Sequence, residues 1–430
     1  MVTFDQSLSI AVRCVRAMFH EIAPDTLRFI RDMQGRLFVV MPDAANVDEI
    51  EALSQNLSDD LGHYAGSGSP AIRISDTLTG DALLIESFVI QFVDDFPVYL
   101  IERRAMGEDW VLQPEHEVPA HPPRFVFFSL KGGVGRSTAL ALWAQHLCQQ
   151  GKSLLVIDMD LEAPGLGAQL LERTGKPRYG VADWLVEDMV GNQVAALVPD
   201  MAKQSPIVPA GLWVVPAFGS VTDQAPQNVI AKLARAYLDK QGEHGQQHFA
   251  QRLRQMVTAL EQMYEPDVVL IDSRAGLHET VAASLLHLDA EVLCFATDLE
   301  VTWQGYRYLF SHLSQLAQSD IMYTDWRERL KMVSARSSSR ALASFVGNAY
   351  ALWSDTLYEE SDDTLGEGFG FDEQDNSAPH FPFIIPRSDT FEAFDPCRDL
   401  SKVENTQIQQ VFGAFFQGLD ERLEMVKNEQ

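Results

Sequence analysis

The sequence predicts an α/β protein with a mostly parallel sheet that carries helices on both faces, preceded by a smaller α+β domain. Short, almost continuous apolar runs alternate with helical patterns from residue 124 onward, which is typical of parallel strands buried on both faces. A glycine-rich turn follows the first of these runs, and acidic residues end two of the later ones. The 430 residues exceed one typical domain, so we expect two.

Residues 1–113 are expected to form the α+β domain. Two helical patterns and a strand precede a hairpin whose two strands flank a polar turn. In chain order these segments are residues 7–20, 36–41, 47–61, 96–103 and 110–112. They hold no constellation of catalytic side chains, and the role of the domain stays open. Prolines recur through residues 114–123, which predicts a stiff linker.

Residues 124–430 are expected to form the second domain. Its strands are predicted at residues 125–129, 153–158, 212–217, 267–272, 291–296, 331–335 and 382–385. Right-handed connections place the carboxyl ends of parallel strands at one edge of the sheet. An acidic insertion at residues 354–378 interrupts this pattern and is expected to be mobile. The amphipathic helix at residues 405–427 lacks the excess of Lys and Arg that a membrane-surface helix carries, so we expect it to pack against the sheet.

The most informative segment lies between the apolar run at residues 125–128 and the helical pattern at residues 139–150. It consists of Lys131, Gly132, Gly133, Val134, Gly135, Arg136, Ser137 and Thr138. Glycines let backbone N–H groups approach a phosphate, and the N-terminus of the following helix adds partial positive charge. The segment departs from the common phosphate-loop pattern G-x-x-x-x-G-K-[ST], because Arg136 replaces the lysine and Lys131 stands at the start.

With these residues the segment resembles the deviant Walker A loop of the MinD/ParA-type ATPases, which belong to the SIMIBI class of P-loop NTPases. Three later segments resemble the same family in the same order. The first is a strand followed by the two acids Asp158 and Asp160. The second is a strand that leads to Pro216, and the third is a Walker B-like strand that ends at Asp272. The resemblance covers residues 124–300 and implies a P-loop NTPase fold that binds ATP with Mg²⁺ and hydrolyses it.

The resemblance also implies roles for the residues that bind phosphates and metal. The backbone of residues 132–138 would hold the β- and γ-phosphates, while Ser137 and Asp272 would hold Mg²⁺. Asp160 matches the acid that orients the attacking water. For Asp158 two roles stay open, support of the metal shell or a structural cap on the phosphate loop.

We also expect specific roles for four further side chains. Lys131 resembles the signature lysine that reaches the nucleotide of the other subunit in a dimer. Arg136 keeps the charge of the loop lysine, but its planar guanidinium leaves the rate of hydrolysis open. Arg274 is either a second cation at the γ-phosphate or part of a salt bridge that shapes the switch segment. Pro386 resembles the late loop near the nucleotide base.

Composition limits the compartment and the partners. The formal net charge is −28, and residues 355–375 carry nine acids without a base, which speaks against nonspecific DNA binding. A local group of basic residues between 327 and 340 is interpreted as a solvated face. No apolar run is long enough to span a bilayer and no secretory signal is recognisable, so we expect a cytoplasmic protein. The four cysteines have no metal or redox spacing.

The leading hypothesis is an ATP-binding and hydrolysing switch that forms a nucleotide-dependent homodimer and regulates a protein partner of unknown identity. A DNA- or membrane-positioning ATPase is the first alternative, and it predicts a basic dimer face or a basic terminal helix. A weakly hydrolysing nucleotide sensor is the second, and Arg136 favours it. A bacterial tyrosine kinase of similar fold is the third, but no tyrosine follows Tyr358.

Overall fold

The computed structural model describes residues 2–76, 88–104, 107–112, 120–171, 175–242, 245–319, 326–338, 341–359 and 369–429. The chain forms two compact units. The first comprises Met1–Gln113 with Ser311–Tyr323, and the second comprises Pro114–Phe310 with Thr324–Gln430. Among the described residues, none of the helices combines the length and the apolar character that a membrane span needs.

Within residues 1–113, the described part of the chain forms a five-stranded sheet and two α-helices. The helices are Phe4–Met18 (α1) and Val47–Leu61 (α2), and the strands are Arg28–Arg31 (β1), Leu37–Met41 (β2), Ala71–Arg73 (β3), Val89–Val93 (β4) and Phe96–Glu102 (β5). The strand order is β3-β2-β1-β5-β4, with parallel β1–β5 and β2–β3 pairs. Buried residues recur at helical spacing in α2, at Ile50, Leu53, Leu57 and Leu61, so one face of the helix packs into the core with the sheet.

The hairpin in this unit differs from the prediction. Phe96–Glu102 pairs with the preceding strand Val89–Val93, whereas residues 108–110 form a short 3-10 helix. The turn between the two strands consists of Asp94 and Asp95, both with positive φ (48° and 63°). Two central residues with positive φ match the twist of a tight hairpin, so this Asp-Asp pair was the turn signal that the sequence analysis missed.

The second unit confirms the predicted fold class, a mostly parallel sheet with helices on both faces. Its strands are Arg124–Ser129 (β6), Leu154–Asp158 (β7), Lys203–Gln204 (β8), Leu212–Val215 (β9), Lys240–Gly242 (β10), Gly245–Gln247 (β11), Val268–Ala275 (β12), Glu291–Ala296 (β13), Leu330–Ser337 (β14) and Phe383–Pro386 (β15). Eight of them form one sheet in the order β15-β14-β13-β6-β12-β7-β9-β8, while β10 and β11 form a separate hairpin. Only the β8–β9 pair of the large sheet is antiparallel.

Helices cover this sheet on both sides. They are Arg136–Gln149 (α3), Leu166–Leu170 (α4), Val181–Met189 (α5), Ser220–Gln224 (α6), Val229–Ala236 (α7), Phe249–Tyr264 (α8), Glu279–Leu286 (α9), Glu300–Ser319 (α10), Leu342–Thr356 (α11), Pro396–Asp399 (α12) and Asn405–Glu429 (α13). On the central strand β6, Phe125 packs against Trp143 of α3, and Phe128 packs on the other face against Tyr306 of α10. Both faces are therefore buried, which explains the apolar runs without alternation.

The terminal helix α13 belongs to the core. Its buried residues Phe412, Phe415, Phe416, Leu419 and Leu423 join the cluster that contains Trp143, and each such side chain contributes about 1.5–3 kcal/mol on burial. On the same helix, Asp420 accepts hydrogen bonds from Trp143 Nε1 (3.0 Å), His146 Nε2 (2.8 Å) and Gln150 Nε2 (3.1 Å). The helix therefore packs against its own sheet, as expected.

The described parts of the acidic insertion contact the rest of the domain, and the mobility of the insertion stays a prediction. Its first residues, through Thr356, end helix α11. After residue 368, Phe369 and Phe371 pack around the ring of Tyr358. Lys331 Nζ donates to the carbonyl of Ala378 at 2.7 Å. Residues 360–368 lie outside the described residues.

Candidate functional site

The predicted phosphate loop connects β6 to the N-terminus of helix α3. Gly133 and Gly135 have φ values of 77° and 88°, a region that side-chain-bearing residues rarely adopt. A Cβ atom built on Gly132, Gly133 or Gly135 would meet no atom within 4 Å. Open space therefore lies in front of the loop, where backbone N–H groups and the helix N-terminus favour an anion.

Arg136, the first residue of α3, contacts three groups of the interior. Its side chain is 8% exposed, and its Nε donates to Asp272 Oδ1 at 2.6 Å. Its Nη1 donates to Ser129 Oγ at 3.1 Å, and its Nη2 lies 3.6 Å from Asp160 Oδ2. Arg136 thus forms ion pairs with both Asp272, which was expected to hold Mg²⁺, and Asp160, which was expected to orient the attacking water.

Ser137 and Asp272 form the second part of the site. Ser137 Oγ donates to Asp272 Oδ2 at 2.7 Å, so the two carboxylate oxygens of Asp272 have different partners, Arg136 and Ser137. Hydroxyl and carboxylate oxygens are the hard donors that Mg²⁺ prefers, and Mg²⁺ in nucleotide sites takes its other ligands from phosphate and water. In the described part of the chain no group of three or more His, Cys, Asp or Glu could hold a metal ion. The residues fit Mg²⁺ bound together with a phosphate.

Asp158 and Asp160 differ in burial and in partners. Asp158 is fully buried and accepts hydrogen bonds from the N–H groups of Asp160 and Gly167, both at 3.2 Å. Asp158 therefore holds the segment that follows β7. Of the two roles left open, these contacts favour the structural one, but the segment that Asp158 caps is the one after β7 and not the phosphate loop. Burial first, and then the charge of Asp272, raises the pKa of Asp158 to about 7.

Asp160 is more accessible. One of its oxygens accepts from the N–H of Ala163 at 3.3 Å, and the other lies near Arg136. Burial raises the pKa of Asp160, while the nearby charge of Arg136 opposes that rise. An acid with these surroundings at the mouth of the site is able to accept a proton or a hydrogen bond from water.

The remaining predicted side chains lie around this centre. Lys131 is exposed, and its ammonium group has no ion-pair or hydrogen-bond partner among the described residues. Arg274 pairs with Glu162, and Glu162 Oε1 also lies 3.5 Å from His278 Nε2. Of the two roles considered for Arg274, the contacts favour the salt bridge, which joins the end of β12 to the segment that follows β7. Burial first, and then Arg274, lowers the pKa of His278 to about 4, so the imidazole is neutral.

A pocket lies beside the phosphate loop, and Pro386 is one of its walls. Val134, Gly135 and Thr138 line it on the loop side, and the segment that follows β15 lines it on the other. The sequence analysis did not identify its remaining walls, which are Arg336, Phe391, Glu392, Val411 and Phe412. The signal for Arg336 was weak, because a positive φ (53°) at a bulge of β14 cannot be read from residue type. The position of the pocket next to the phosphate loop suits the nucleoside part of a nucleotide.

No family model matches the chain, and no curated protein matches it. Solved structures similar to it include a ParA family ATPase from Chlorobium tepidum TLS, at 17% identity and a TM-score of 0.41 over 68% of this chain and 98% of that one. A variant of Cyanothece McdA in complex with ATP has 15% identity and a TM-score of 0.41 over 72% of this chain and 96% of that one. The ParA of pNOB8 bound to nonspecific DNA has 17% identity and a TM-score of 0.41 over 72% and 100%.

These solved chains are of the ParA type, the family whose motifs this sequence resembles.

Proposed function

We propose that the protein binds ATP with Mg²⁺, hydrolyses it, and acts as a nucleotide-dependent switch. The observation that carries this proposal is the cluster of Arg136, Ser137, Asp160 and Asp272 at the N-terminus of α3, behind a glycine loop with open space in front of it. Phosphoryl transfer depends mainly on positioning and on neutralisation of charge, which are the two properties that this cluster supplies.

Each group then has a defined task. The N–H groups of residues 132–138 bind the phosphates, and the pocket at Pro386 holds the nucleoside. Ser137 and Asp272 hold Mg²⁺, which when bound neutralises part of the phosphate charge. Asp160 orients the attacking water and accepts its hydrogen bond.

Arg136 gives a physical basis for the switch. In the structure its guanidinium forms ion pairs with Asp272 and Asp160. A phosphate in front of the loop competes for the same guanidinium, so ATP weakens the contacts that hold the two acidic strand ends to the loop. The Arg274–Glu162 ion pair links the end of β12 to the segment that follows β7, so these two parts of the chain would move together. The surface they form would differ between the ATP and nucleotide-free states, and a protein partner would read this difference.

The same edge of the sheet supports a homodimer. Leu277, Leu299 and Val301 are exposed there, each by about half of its surface. Lys131 begins the loop at this edge, and its ammonium group has no ion-pair partner among the residues that the structure describes, so it is available to a nucleotide in a second copy. A contact of this kind would depend on the nucleotide, because the cation has no acceptor without it.

A positioning ATPase on DNA or membranes is the second candidate. The packing of α13 into the core leaves its apolar face unavailable to a membrane. Basic side chains near residue 330 are engaged, since Arg327 pairs with Glu359, Arg329 pairs with Asp289, and Lys331 is buried. Absence of nonspecific DNA binding remains our prediction. One of the similar structures is the ParA of pNOB8 bound to nonspecific DNA, so DNA belongs in the test.

Calorimetry with ATP, in the presence and absence of Mg²⁺, tests the proposal. Gly135→Val should abolish binding, because a β-branched residue cannot hold a φ of 88° without displacing the loop. Gly151→Val is the matched control, since Gly151 ends the same helix with a φ of 85° and open space around it. Ser137→Ala should lose the Mg²⁺-dependent part of the affinity.

Turnover is then measured alone, with DNA and with anionic vesicles. Stimulation by DNA or vesicles would support the positioning ATPase, and ATP binding without turnover under all conditions would support the sensor. ATP affinity equal to wild type in both Gly135→Val and Ser137→Ala would rule out the assigned site.

A further inference from the structure

Ser129, the last residue of β6, has a buried hydroxyl group that contacts both ends of the phosphate loop. Its Oγ lies 2.9 Å from the carbonyl oxygen of Lys131 and 3.1 Å from Nη1 of Arg136. A carbonyl oxygen only accepts hydrogen bonds and a guanidinium only donates them, so the hydroxyl donates to Lys131 and accepts from Arg136. The mechanism proposed for ATP hydrolysis does not use this group.

The backbone of Ser129 is fixed by its neighbours in the large sheet. It pairs with Phe295 of β13 on one side, and on the other its carbonyl accepts from the N–H of Gly276 at 3.0 Å. Helix α3 begins at Arg136. The hydroxyl therefore connects a central strand both to the first residue of the loop and to the first residue of the helix.

Ser129 is also the uncharged partner of Arg136. The guanidinium makes its other contacts with carboxylates, those of Asp272 and Asp160. A phosphate competes with these ion pairs for the guanidinium, and Mg²⁺ competes for the carboxylates. A hydroxyl group does not repel a phosphate, so its hydrogen bond can persist when the nucleotide binds. The contact with Ser129 thus holds the guanidinium at the loop while its ionic partners change.

We infer that Ser129 is a positioning residue that couples Arg136 to Lys131. Its hydroxyl holds the guanidinium at the N-terminus of α3, and it fixes the carbonyl of the lysine that would reach the nucleotide of a second copy. Hydrogen bonds in series polarise one another, so a change at Arg136 alters the bond from Ser129 to Lys131. The inference rests on the proposed ATPase and its nucleotide-dependent dimer.

The variants Ser129→Thr and Ser129→Val test this inference as a pair. Both side chains are β-branched and suit a strand, but only threonine keeps the hydroxyl, so the effect of the added methyl group cancels in the comparison. We expect kcat of Ser129→Val to be about 10-fold lower than that of Ser129→Thr, because the hydrogen bonds to Arg136 and Lys131 are lost. ATP affinity by calorimetry should differ by less than about threefold, since the N–H groups of the loop remain.

Dimerisation provides a second measurement, which a hydroxyl with a merely structural role would not affect. In the Asp160→Ala background, the ATP concentration being saturating, sedimentation should show dimers of Ser129→Thr at about 10-fold lower protein concentration than dimers of Ser129→Val. This difference is expected because the Ser129 hydroxyl orients Lys131.

A double-mutant cycle tests whether the hydroxyl acts through Arg136. Arg136→Lys keeps the positive charge but removes Nη1, the donor to Ser129. In this background the difference in kcat between Ser129→Thr and Ser129→Val should shrink to about twofold or less.

Ser205→Ala is the matched control. The Ser205 hydroxyl is buried as well, donates to the carbonyl of Leu170 at 2.5 Å and lies 3.4 Å from the N–H of Ile207. Loss of this hydroxyl should lower the thermal midpoint, while kcat and the ATP-dependent dimer stay at wild-type levels.

The inference and the proposed function fail in different ways. If the wild type hydrolyses ATP and dimerises, but Ser129→Thr and Ser129→Val have the same kcat and the same dimerisation, the inference is wrong and the proposed function stands. The inference is also wrong if ATP affinity falls by the same factor as kcat, or if the difference persists in full in the Arg136→Lys background. A wild-type protein that neither hydrolyses ATP nor dimerises with it would refute the proposed function together with the inference.

Discussion

Asp158 and Asp272 occupy paired positions on the adjacent parallel strands β7 and β12. Both are buried, so two carboxyl groups lie side by side with little water between them. Arg136 and Ser137 occupy the oxygens of Asp272, and backbone N–H groups occupy those of Asp158. This unequal distribution of cationic partners explains why burial and the charge of Asp272 raise the pKa of Asp158 to about 7.

The raised pKa of Asp158 predicts a pH-dependent stability. The pKa of an aspartate in the unfolded chain is near 3.8, so between that pH and about 7 the folded protein holds a proton that the unfolded chain releases. The resulting stability is fully present below the unfolded pKa and is lost as the pH rises through 7. The free energy of unfolding of the nucleotide-free protein, from urea titrations at pH 5 and pH 8, should show a smaller loss between these values in Asp158→Asn than in wild type. An equal loss in both proteins would show that Asp158 does not hold the proton.

The Arg136–Asp272 pair should be strongly coupled. Arg136→Ala leaves a buried carboxylate without its cation, and we expect it to lower the free energy of unfolding by about 3 kcal/mol. Asp272→Asn in that background should cost much less than alone, giving a coupling energy above about 1 kcal/mol in a double-mutant cycle. The exposed pair Arg307–Asp355 is the control and should couple by less than about 0.5 kcal/mol. Additive effects at Arg136 and Asp272 would contradict the observed contacts.

Asp160→Ala should retain ATP binding and lose turnover. The residue interacts with Arg136 and Ala163 but, in the proposed mechanism, acts on the attacking water after ATP has bound. Equilibrium binding and single-turnover hydrolysis should therefore separate, with affinity near wild type and a rate lower by roughly 100-fold or more. Loss of affinity with an unchanged rate per bound ATP would instead give Asp160 a structural or metal-binding role.

Nucleotide should drive dimerisation through Lys131. In the slowly hydrolysing Asp160→Ala background, ATP should shift the sedimentation coefficient from monomer to dimer, and ADP should not. Adding Lys131→Ala should remove that shift while most nucleotide affinity remains, because its ammonium group makes no contact within the described part of its own chain. Lys152→Ala, at a lysine that pairs with Glu424, is the control and should leave the shift intact. Dimerisation that ignores both nucleotide and Lys131 would favour a scaffold.

The sequence predicted the large sheet well, because strands buried on both faces leave continuous apolar runs such as Phe125 to Phe128. The two-residue strand Lys203–Gln204 and the hairpin of β10 and β11 were missed, since they are short and polar and carry no periodic signal. The prediction that residues 110–112 form the second strand of the hairpin was wrong. Strand Phe96–Glu102 pairs instead with Val89–Val93, and the turn at Asp94 and Asp95 connects these two strands.

At the site, residue types predicted which side chains meet but not how they pair. The position of Arg136 in the loop suggested a phosphate ligand, whereas the groups that it contacts in the structure are the carboxylates of Asp160 and Asp272. Arg336 was missed because it comes from a segment far along the chain, and only the folded structure brings it to the pocket beside the phosphate loop.

Asp420 joins two helices that lie far apart in the sequence. Its carboxylate accepts hydrogen bonds from Trp143, His146 and Gln150, in the second half and at the C-cap of the helix that begins at Arg136. This helix of fourteen residues is a rod of ~21 Å whose other end adjoins the predicted phosphate loop. The terminal helix and the loop thus contact one continuous rod. We therefore expect a displacement of the last helix to change the geometry at Gly135.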